Sequence, residues 1–195
     1  MTTRRYNQWL MLLCLTASSV GCGSKSADEL ANSLTDEHKK VRREAAQSLG
    51  QMGSAAKSAV PQLTESLTDK DAKVRRLSAK SLGQIGRDAQ ESVPKLIESL
   101  RDSDPKVRSA AATSLGRIHR QPDQAVPALA SALSDTAPEV RRSAAMALGR
   151  FGSAASGAIP VLRKAATDRD RQVRDAATNT LQRLGAGDTT RRQGS

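Results

Sequence analysis

The chain contains few side chains that could act as nucleophiles or metal ligands. Its 195 residues include two cysteines, Cys14 and Cys22, and two histidines, His38 and His119. Because both cysteines lie near the N-terminus, the body of the chain has no thiol nucleophile and no cysteine-based metal site. A carboxylate-bridged di-iron centre needs several histidines paired with glutamates, and neither histidine is followed by Glu. We therefore expect no enzymatic activity, no cofactor and no metal.

Two pairs of aspartates have the spacing of a possible acid–base or metal site: Asp69 with Asp71, and Asp102 with Asp104. Paired carboxylates can hold a cation or exchange protons with a substrate. These pairs recur at one place in a repeated pattern, however, and their second members stand where a helix needs an N-cap. Their repetition favours a structural role in turns.

A 33-residue repeat organises most of the chain. Five Val-Arg dipeptides follow one another at this step, and leucine, proline and aspartate positions keep the same register. The repeated aspartates and arginines are Asp36, Asp69, Asp102, Asp135 and Asp168, and Arg42, Arg75, Arg108, Arg141 and Arg174. Residues of four classes in one register predict a repeat architecture, with the end units modified as caps.

Each unit has the apolar spacing of two helices. Val41, Ala45 and Leu49 fall on one face of the second helix of a unit, and Val60 with its equivalents begins the first helix of the following unit, about three turns long. Pro61 and its equivalents suit the first turn of this first helix: Pro94, Pro127 and Pro160. Gly86 and its equivalents, replaced by His119 in the third unit, stand where a C-cap with positive φ is common. The sequence predicts an all-α solenoid of about five helix-turn-helix units, spanning residues 27–185.

The repeat resembles the short HEAT-like repeats of phycobilisome lyase subunits. Unit two carries the pattern in Val60-Pro61-Gln62-Leu63, Val74-Arg75, Leu82-Gly83 and Ile85-Gly86. The Thr-Pro-Leu-His signature of ankyrin repeats is missing, as are the aromatic residues of tetratricopeptide repeats. The resemblance implies a right-handed α–α superhelix in which the repeated Asp and Arg form a ladder between units. It also implies that the second helices line the concave surface.

Basic residues on the second helices are the candidate binding site. The chain carries 31 Lys and Arg against 20 Asp and Glu, a formal net charge of +11. The candidates are Arg43, Arg76, Lys80, Arg117, Arg142, Arg150 and Arg183, extended by Lys40, Lys73 and Lys106. This stripe is either a solvated face without a partner or a binding surface for an acidic protein, glycan or lipid headgroup.

The N-terminus has the features of an export signal. Arg4 and Arg5 precede an apolar stretch that is too short to span a bilayer. Ser19-Val20-Gly21-Cys22 resembles a bacterial lipoprotein cleavage box, which implies a signal peptide over residues 1–21 and a lipidated Cys22. Residues 22–26 would then be a short tether to a membrane of the cell envelope, and residues 186–195 a disordered tail. Ordinary secretion and an uncleaved anchor are the alternatives.

These patterns predict an exported, membrane-anchored scaffold that binds an acidic macromolecule through a basic concave face. Two alternatives remain: a lyase-like or chaperone subunit related to the bilin lyases, and a nucleic-acid-binding protein. The second is disfavoured because aromatic residues, on which bases stack, make up only 2% of the chain.

Overall fold

The computed structural model describes residues 25–187, where α-helices and short 3-10 helices alternate without strands. We call the first helix of each unit its A helix and the second its B helix. The A helices are α1 (Ala27–Asn32), α3 (Val60–Glu65), α5 (Val93–Ser99), α7 (Pro122–Ala132) and α9 (Ile159–Ala165). The B helices are α2 (Lys39–Met52), α4 (Ala72–Ile85), α6 (Pro105–Ile118), α8 (Pro138–Phe151) and α10 (Arg171–Arg183). The all-α repeat superhelix expected from the sequence is confirmed.

The B helices begin and end at the residues that the repeat pattern indicates. The carboxylate of Asp71 accepts a hydrogen bond from the Val74 N–H, which satisfies one of the free donors at the start of α4. Asp104 and Asp170 cap α6 and α10 in the same way. Gly86 ends α4 with φ 77° and ψ −135°, a conformation that only glycine adopts without strain. This ψ differs from that of a left-handed C-cap, because the chain enters a 3-10 helix directly at the glycine.

His119 takes the glycine position at the end of α6. Its φ of 51° and ψ of 47° lie in the left-handed region, so the expected positive φ is confirmed. Its imidazole packs edge-on against Phe151, with ring centroids 5.1 Å apart. Phe151 itself is 5% exposed and belongs to the core, as its register predicts. The contact gives His119 a packing role in the turn.

The A segments are more irregular than the predicted three-turn helices. The α-helical part of α3 has only six residues, between the 3-10 helices Gly53–Ala59 and Ser66–Thr68. Pro61 lies in the first turn, where its missing N–H has no partner to lose. In the fourth unit, Pro122 starts α7 one turn earlier, so Pro127 lies inside the helix. The sequence prediction for Pro127 was therefore wrong, because a second proline upstream nucleates the helix first.

A continuous apolar core runs through the stack between the A and B helices. Each of the first four units contributes a fully buried leucine from its B helix, and units two to five each contribute one from the A helix. These are Leu49, Leu82, Leu115 and Leu148, and Leu63, Leu96, Leu129 and Leu162. Alanines fill the spaces between them, which allows helices to approach closely. Thr178, Asn179 and Gln182 are exposed on α10, so the last unit has the polar outer face of a cap.

Neighbouring B helices pack so closely that a glycine on one helix lies against atoms of the next helix. A Cβ built on Gly116 would lie only 2.8 Å from the Cα of Ala147, so α6 and α8 touch where glycine leaves room. Gly50, Gly83 and Gly149 make the same approach to the next B helix. Adjacent A helices touch at far fewer points. Since the tightly packed side of a curved stack lies inside the curve, the B helices line the concave face.

Within residues 25–187, no helix is long and apolar enough to cross a membrane. The predicted signal peptide over residues 1–21, the lipidation candidate Cys22 and the segment 188–195 lie outside the described residues. At the start of the predicted tail, the Ala186 N–H donates to the Leu181 carbonyl at 2.9 Å. This bond closes the C-terminal turn of α10.

Candidate partner-binding surface

The repeated Arg and Asp form a ladder between consecutive units. Nε and Nη2 of Arg42 donate to the two carboxylate oxygens of Asp69 in the next unit, at 2.6 and 3.0 Å. Nη1 of the same guanidinium donates to the carbonyl oxygens of Asp36 and Glu37 in its own unit, at 2.7 and 3.0 Å. One arginine therefore closes the turn of its own unit and holds the turn of the next. The equivalent pairs are Arg75 with Asp102, Arg108 with Asp135 and Arg141 with Asp168.

The ladder also fixes the ionisation of its carboxylates. Burial raises the pKa of Asp69, but the hydrogen bonds from Arg42 and from the Asp71 N–H outweigh it, so the pKa is below its ordinary value. The pKa values of Asp102 and Asp135 are lowered by the same balance. For Asp168, the hydrogen bond from Arg141 is the largest cause of the lowered pKa. These aspartates are ionised at neutral pH, and the guanidinium group paired with each one neutralises its charge.

The two ends of the ladder differ from its middle. No unit within residues 25–187 precedes Asp36, and its carboxylate accepts from the His38 N–H at 2.7 Å. Arg174 keeps the bonds to its own turn, since Nη1 donates to the carbonyl oxygens of Asp168 and Arg169. No unit within residues 25–187 follows it to supply a carboxylate. The ladder residues hold the stack and present little free charge to a partner.

An open pocket of about 630 Å³ lies on the concave face between α4, α6 and α8. This volume is typical of ligand-binding clefts. Leu77 and Ala110 give its floor an apolar patch, and Glu139 is its single acidic residue. Four basic side chains line the pocket: Arg76, Lys80, Lys106 and Arg117. The pocket can therefore hold a group that is both anionic and partly apolar.

The basic side chains around this pocket form no ion pairs with other residues in the described part of the chain. No ion pair within 4.0 Å connects any of them to another residue between 25 and 187. The same is true of Arg150, whose Cδ lies against Gly116 on the neighbouring helix. Lys80, Arg117 and Arg150 are exposed, and Arg76 is half-buried. Their charge is available to an anionic partner.

Two of the candidate arginines are engaged within the protein. Arg43 forms a bidentate ion pair with Asp71, whose carboxylate also caps α4. The hydrogen bond from Arg43, together with the Val74 N–H, lowers the pKa of Asp71 to about 2, although burial opposes the shift. Arg142 donates to the side-chain oxygen of Gln172. Arg43 thus belongs with the contacts between units, while Arg142 remains exposed.

The free cations form a diagonal band rather than a stripe along a single helix face. Lysines occupy the first turns of the B helices in units one to three: Lys40, Lys73 and Lys106. Arginines occupy the last turns of the B helices in units three to five: Arg117, Arg150 and Arg183. The pocket, with Arg76 and Lys80, lies where these two sets meet. The band therefore crosses the whole concave face.

Sequence reasoning missed the apolar part of this surface and the hydrogen bonds beneath it. Leu77 is half-exposed and Met146 is 49% exposed on the concave side, outside the core register of their helices. Beneath them, the hydroxyl groups of Ser81, Ser114 and Thr180 donate to carbonyl oxygens of the preceding B helix at 2.6 to 2.9 Å. Their recurrence one residue before the repeated leucine, in units two, three and five, was the signal that could have revealed them.

The described surface offers binding groups but no assembled catalytic group. Within residues 25–187, no three metal-binding side chains lie close enough to hold an ion. Its acidic pairs are used by caps and by the ladder, as for Asp69 and Asp71. What the concave face can do chemically is attract and hold anionic groups.

Comparisons with known proteins agree with this architecture. Among solved structures, the complex of CpcE and CpcF of phycocyanin lyase from Nostoc sp. is similar, with 26% identity and a TM-score of 0.73 over 85% of this chain and 67% of that one. A crystal structure of an engineered protein shares 28% identity and a TM-score of 0.66 over 83% and 80% of the two chains. A designed armadillo repeat protein in complex with the peptide (KR)4 shares the fold, at 18% identity and a TM-score of 0.68, covering 81% of each chain.

No curated protein matches the chain. The family model of HEAT repeats, however, matches residues 27–103 and 93–182, nearly all of the described solenoid. These matches cover the same units that the ladder and the Gly-mediated helix contacts define. The chain belongs to the HEAT repeat family.

Proposed function

We propose that this protein is a non-catalytic scaffold that binds an acidic protein partner through the concave face of its B helices. The observation that carries the proposal is the pocket between α4, α6 and α8, whose cations have no carboxylate partner in the described part of the chain. HEAT-type solenoids suit such a role, since stacked units present one extended surface. Charge would steer the partner, and contacts along several units would hold it.

Two features favour a protein partner over a nucleic acid. Leu77 and Met146 place apolar surface among the cations, which suits side chains of a polypeptide better than a phosphate backbone. Phe151 is the one aromatic residue between 25 and 187, and it is buried in the core. Single-stranded nucleic acids are usually held by stacking on exposed aromatic rings, which this surface does not offer.

Charge reversal on the concave face tests the proposal. We expect Arg76→Glu, Arg117→Glu, Arg142→Glu and Arg150→Glu together to abolish binding of a fluorescently labelled polyglutamate peptide. The matched control reverses four exposed cations on or near the A helices: Arg101, Arg163, Lys164 and Arg169. If the control weakens binding as much as the concave variant does, net charge alone attracts the peptide and the concave site is wrong. A single-stranded oligonucleotide of equal charge that outcompetes the peptide would favour the nucleic-acid alternative.

We further propose that the protein is exported and anchored by a lipid on Cys22. The lipoprotein-like box Ser19-Val20-Gly21-Cys22 supports this, and α1 begins only five residues later, at Ala27. The solenoid would then work close to a membrane of the bacterial cell envelope. Mass spectrometry of the mature N-terminus distinguishes the possibilities: acyl chains on Cys22 support the anchor, cleavage elsewhere supports secretion, and an intact Met1 refutes export.

A second candidate function is that of one subunit in a two-chain lyase or chaperone. The likeness to the CpcE and CpcF complex favours it. In that case the concave face would hold a partner subunit and a pigment. Purification from the native source separates the two functions: a copurified pigment, or chromophore transfer to an acceptor protein, would support the lyase candidate over the scaffold.

A further inference from the structure

One line of side chains on the concave face has the geometry of a linear binding site. It occupies the same position in all five units, two residues after the buried leucine of each B helix. We call it the terminal row: Gln51, Gln84, Arg117, Arg150 and Arg183. All five side chains are exposed. The row thus presents two amides followed by three guanidinium groups, each on a separate helix.

The row is held in place by the close approach of the B helices. A Cβ on Gly50 would meet the side-chain oxygen of Gln84 at 2.5 Å, and a Cβ on Gly116 would meet Cδ of Arg150 at 3.1 Å. The side-chain oxygen of Gln84 and the Cδ of Arg150 therefore lie against the glycine of the preceding unit. This packing leaves their polar ends fewer conformations to lose when a ligand binds.

The spacing along the row is set by helix packing. Equivalent positions on neighbouring parallel helices are separated by the interaxial distance, about 8–10 Å. A polyproline II segment advances about 3.1 Å per residue and returns to the same face every third residue, or about 9.3 Å. In a β-strand, the residue three positions further on is about 10 Å away, but its side chain points to the opposite face. Acidic residues at every third position of a polyproline II segment therefore match the row.

The two glutamines favour a partner in the polyproline II conformation over an α-helical partner. An α-helix can also present one acidic residue every seven residues, about 10.5 Å apart, but its backbone groups are already hydrogen-bonded to one another. A polyproline II backbone has no internal hydrogen bonds, so its N–H and C=O groups are free to pair with side-chain amides. The Gln51 and Gln84 amides supply both a donor and an acceptor.

We infer that the terminal row binds an extended, polyproline II-type acidic segment with Asp or Glu at every third residue. Arg117, Arg150 and Arg183 take successive carboxylates, and Gln51 and Gln84 bind the backbone that continues beyond them. This inference rests on the proposed function, and it adds the conformation and sequence period of the partner. An extended chain can follow a concave surface, which a rigid helix spanning several units cannot.

Three peptides with equal numbers of glutamates, and therefore equal net charge, test the inference. The first repeats Glu-Pro-Ala, the second has the same composition with all its glutamates contiguous, and the third is an alanine-rich helix with Glu at every seventh residue. Fluorescence anisotropy with the mature chain should show the spaced peptide binding at least about tenfold more tightly than the contiguous one. Arg117→Gln, Arg150→Gln and Arg183→Gln together should remove this preference. The control changes Arg101, Arg163 and Arg169 to Gln and should retain it.

The outcomes separate this inference from the function on which it rests. If the spaced and contiguous peptides bind equally, and both still depend on Arg76 and Arg117, the acidic-partner function stands and the register is wrong. Tighter binding of the helical peptide overturns the extended conformation. If no acidic peptide binds at physiological salt, both the inference and the proposed function are wrong.

Discussion

At the scale of single residues, adjacent arginines in this chain have different roles because of what the next unit places beside them. Arg75 reaches Asp102 with two donors and its own turn with a third. Arg76, the next residue, has no ion pair in the described structure and lines the concave pocket. Because consecutive residues of an α-helix point about 100° apart, Arg75 reaches the aspartate of the next unit while Arg76 does not. An arginine-rich sequence therefore contains both a structural ladder and a binding surface.

The ladder residue Asp102 should be sensitive both to substitution and to pH. Asp102→Asn leaves the Arg75 guanidinium, whose side chain is 14% exposed, without its carboxylate. We expect the free energy of unfolding at pH 7 to fall by about 2 kcal/mol, as for other hydrogen bonds between charged groups. Because the folded pKa of Asp102 is below its ordinary value of 3.8, this stabilisation is present above pH 4 and is lost as the pH falls through the folded pKa.

Chemical denaturation of the wild type and the variant between pH 7 and pH 3 measures this directly. The difference in stability should be largest at pH 7 and should shrink in acid, where the protonated aspartate resembles asparagine. Glu91→Gln makes the same charge change at an exposed position and serves as the control. A loss that does not vary with pH would show that shape, and not the ion pair, makes Asp102 important.

At the scale of helices, the sequence predicted the B helices better than the A helices. Val74, Leu82 and Ile85 recur at a clear helical spacing, and Asp71 with Gly86 marks both ends. The A segments contain too few apolar residues to distinguish an α-helix from 3-10 turns around Pro61. The resemblance implied the pairing of the repeated Arg and Asp, but the sequence did not predict the ion pair between Arg43 and Asp71. Which further side chains meet across units depends on the rotation between units, which periodicity within one unit does not determine.

The Leu-Gly step is the element that sets how closely the B helices pack. In Gly116→Ala, the new Cβ would lie 2.8 Å from the Cα of Ala147, and a backbone atom cannot move aside cheaply. We expect a loss of about 1–3 kcal/mol from overpacking, despite the better helix propensity of alanine. Thermal unfolding followed by circular dichroism measures the loss.

Gly157 provides a matched control for this substitution. It lies in the 3-10 helix Gly152–Ala158, and a Cβ built there meets nothing within 4 Å. Gly157→Ala should therefore be neutral or stabilise the protein by about 0.4–1 kcal/mol through the unfolded state. Equal effects of the two substitutions would mean that the helices can separate at Gly116 without cost, and that the close approach does not hold the curvature.

At the scale of the whole molecule, the curvature of the stack and the position of its basic surface both result from the repeat. Small residues on the B side bring the helices together, so every exposed residue of these helices faces the same concavity. A basic substitution in any unit therefore adds to one surface. The band from Lys40 to Arg183 extends across all five units because each unit repeats the orientation of the last. The same repetition lets the core tolerate the loss of a unit, since each contacts only its neighbours.

Deletion of one complete unit should consequently give a shorter, folded protein. Removing residues 72–104 joins Asp71 to Pro105, and Asp71 then caps α6 in the place of Asp104. Arg42 keeps Asp69, Arg108 keeps Asp135, and Gly50 faces Ser114, the equivalent of Ser81. We expect the per-residue helix content to be retained, with a lower melting temperature because less apolar surface is buried.

A deletion of residues 72–101 is three residues shorter and tests whether the register matters. It retains the turns of both Asp69 and Asp102, so Arg42 can pair with only one of these aspartates, and the turn before α6 contains three extra residues. Thermal unfolding followed by circular dichroism should show a lower melting temperature for this variant than for the deletion of the complete unit. Equal melting temperatures would show that this turn tolerates the insertion and that the exact 33-residue period does not stabilise the stack.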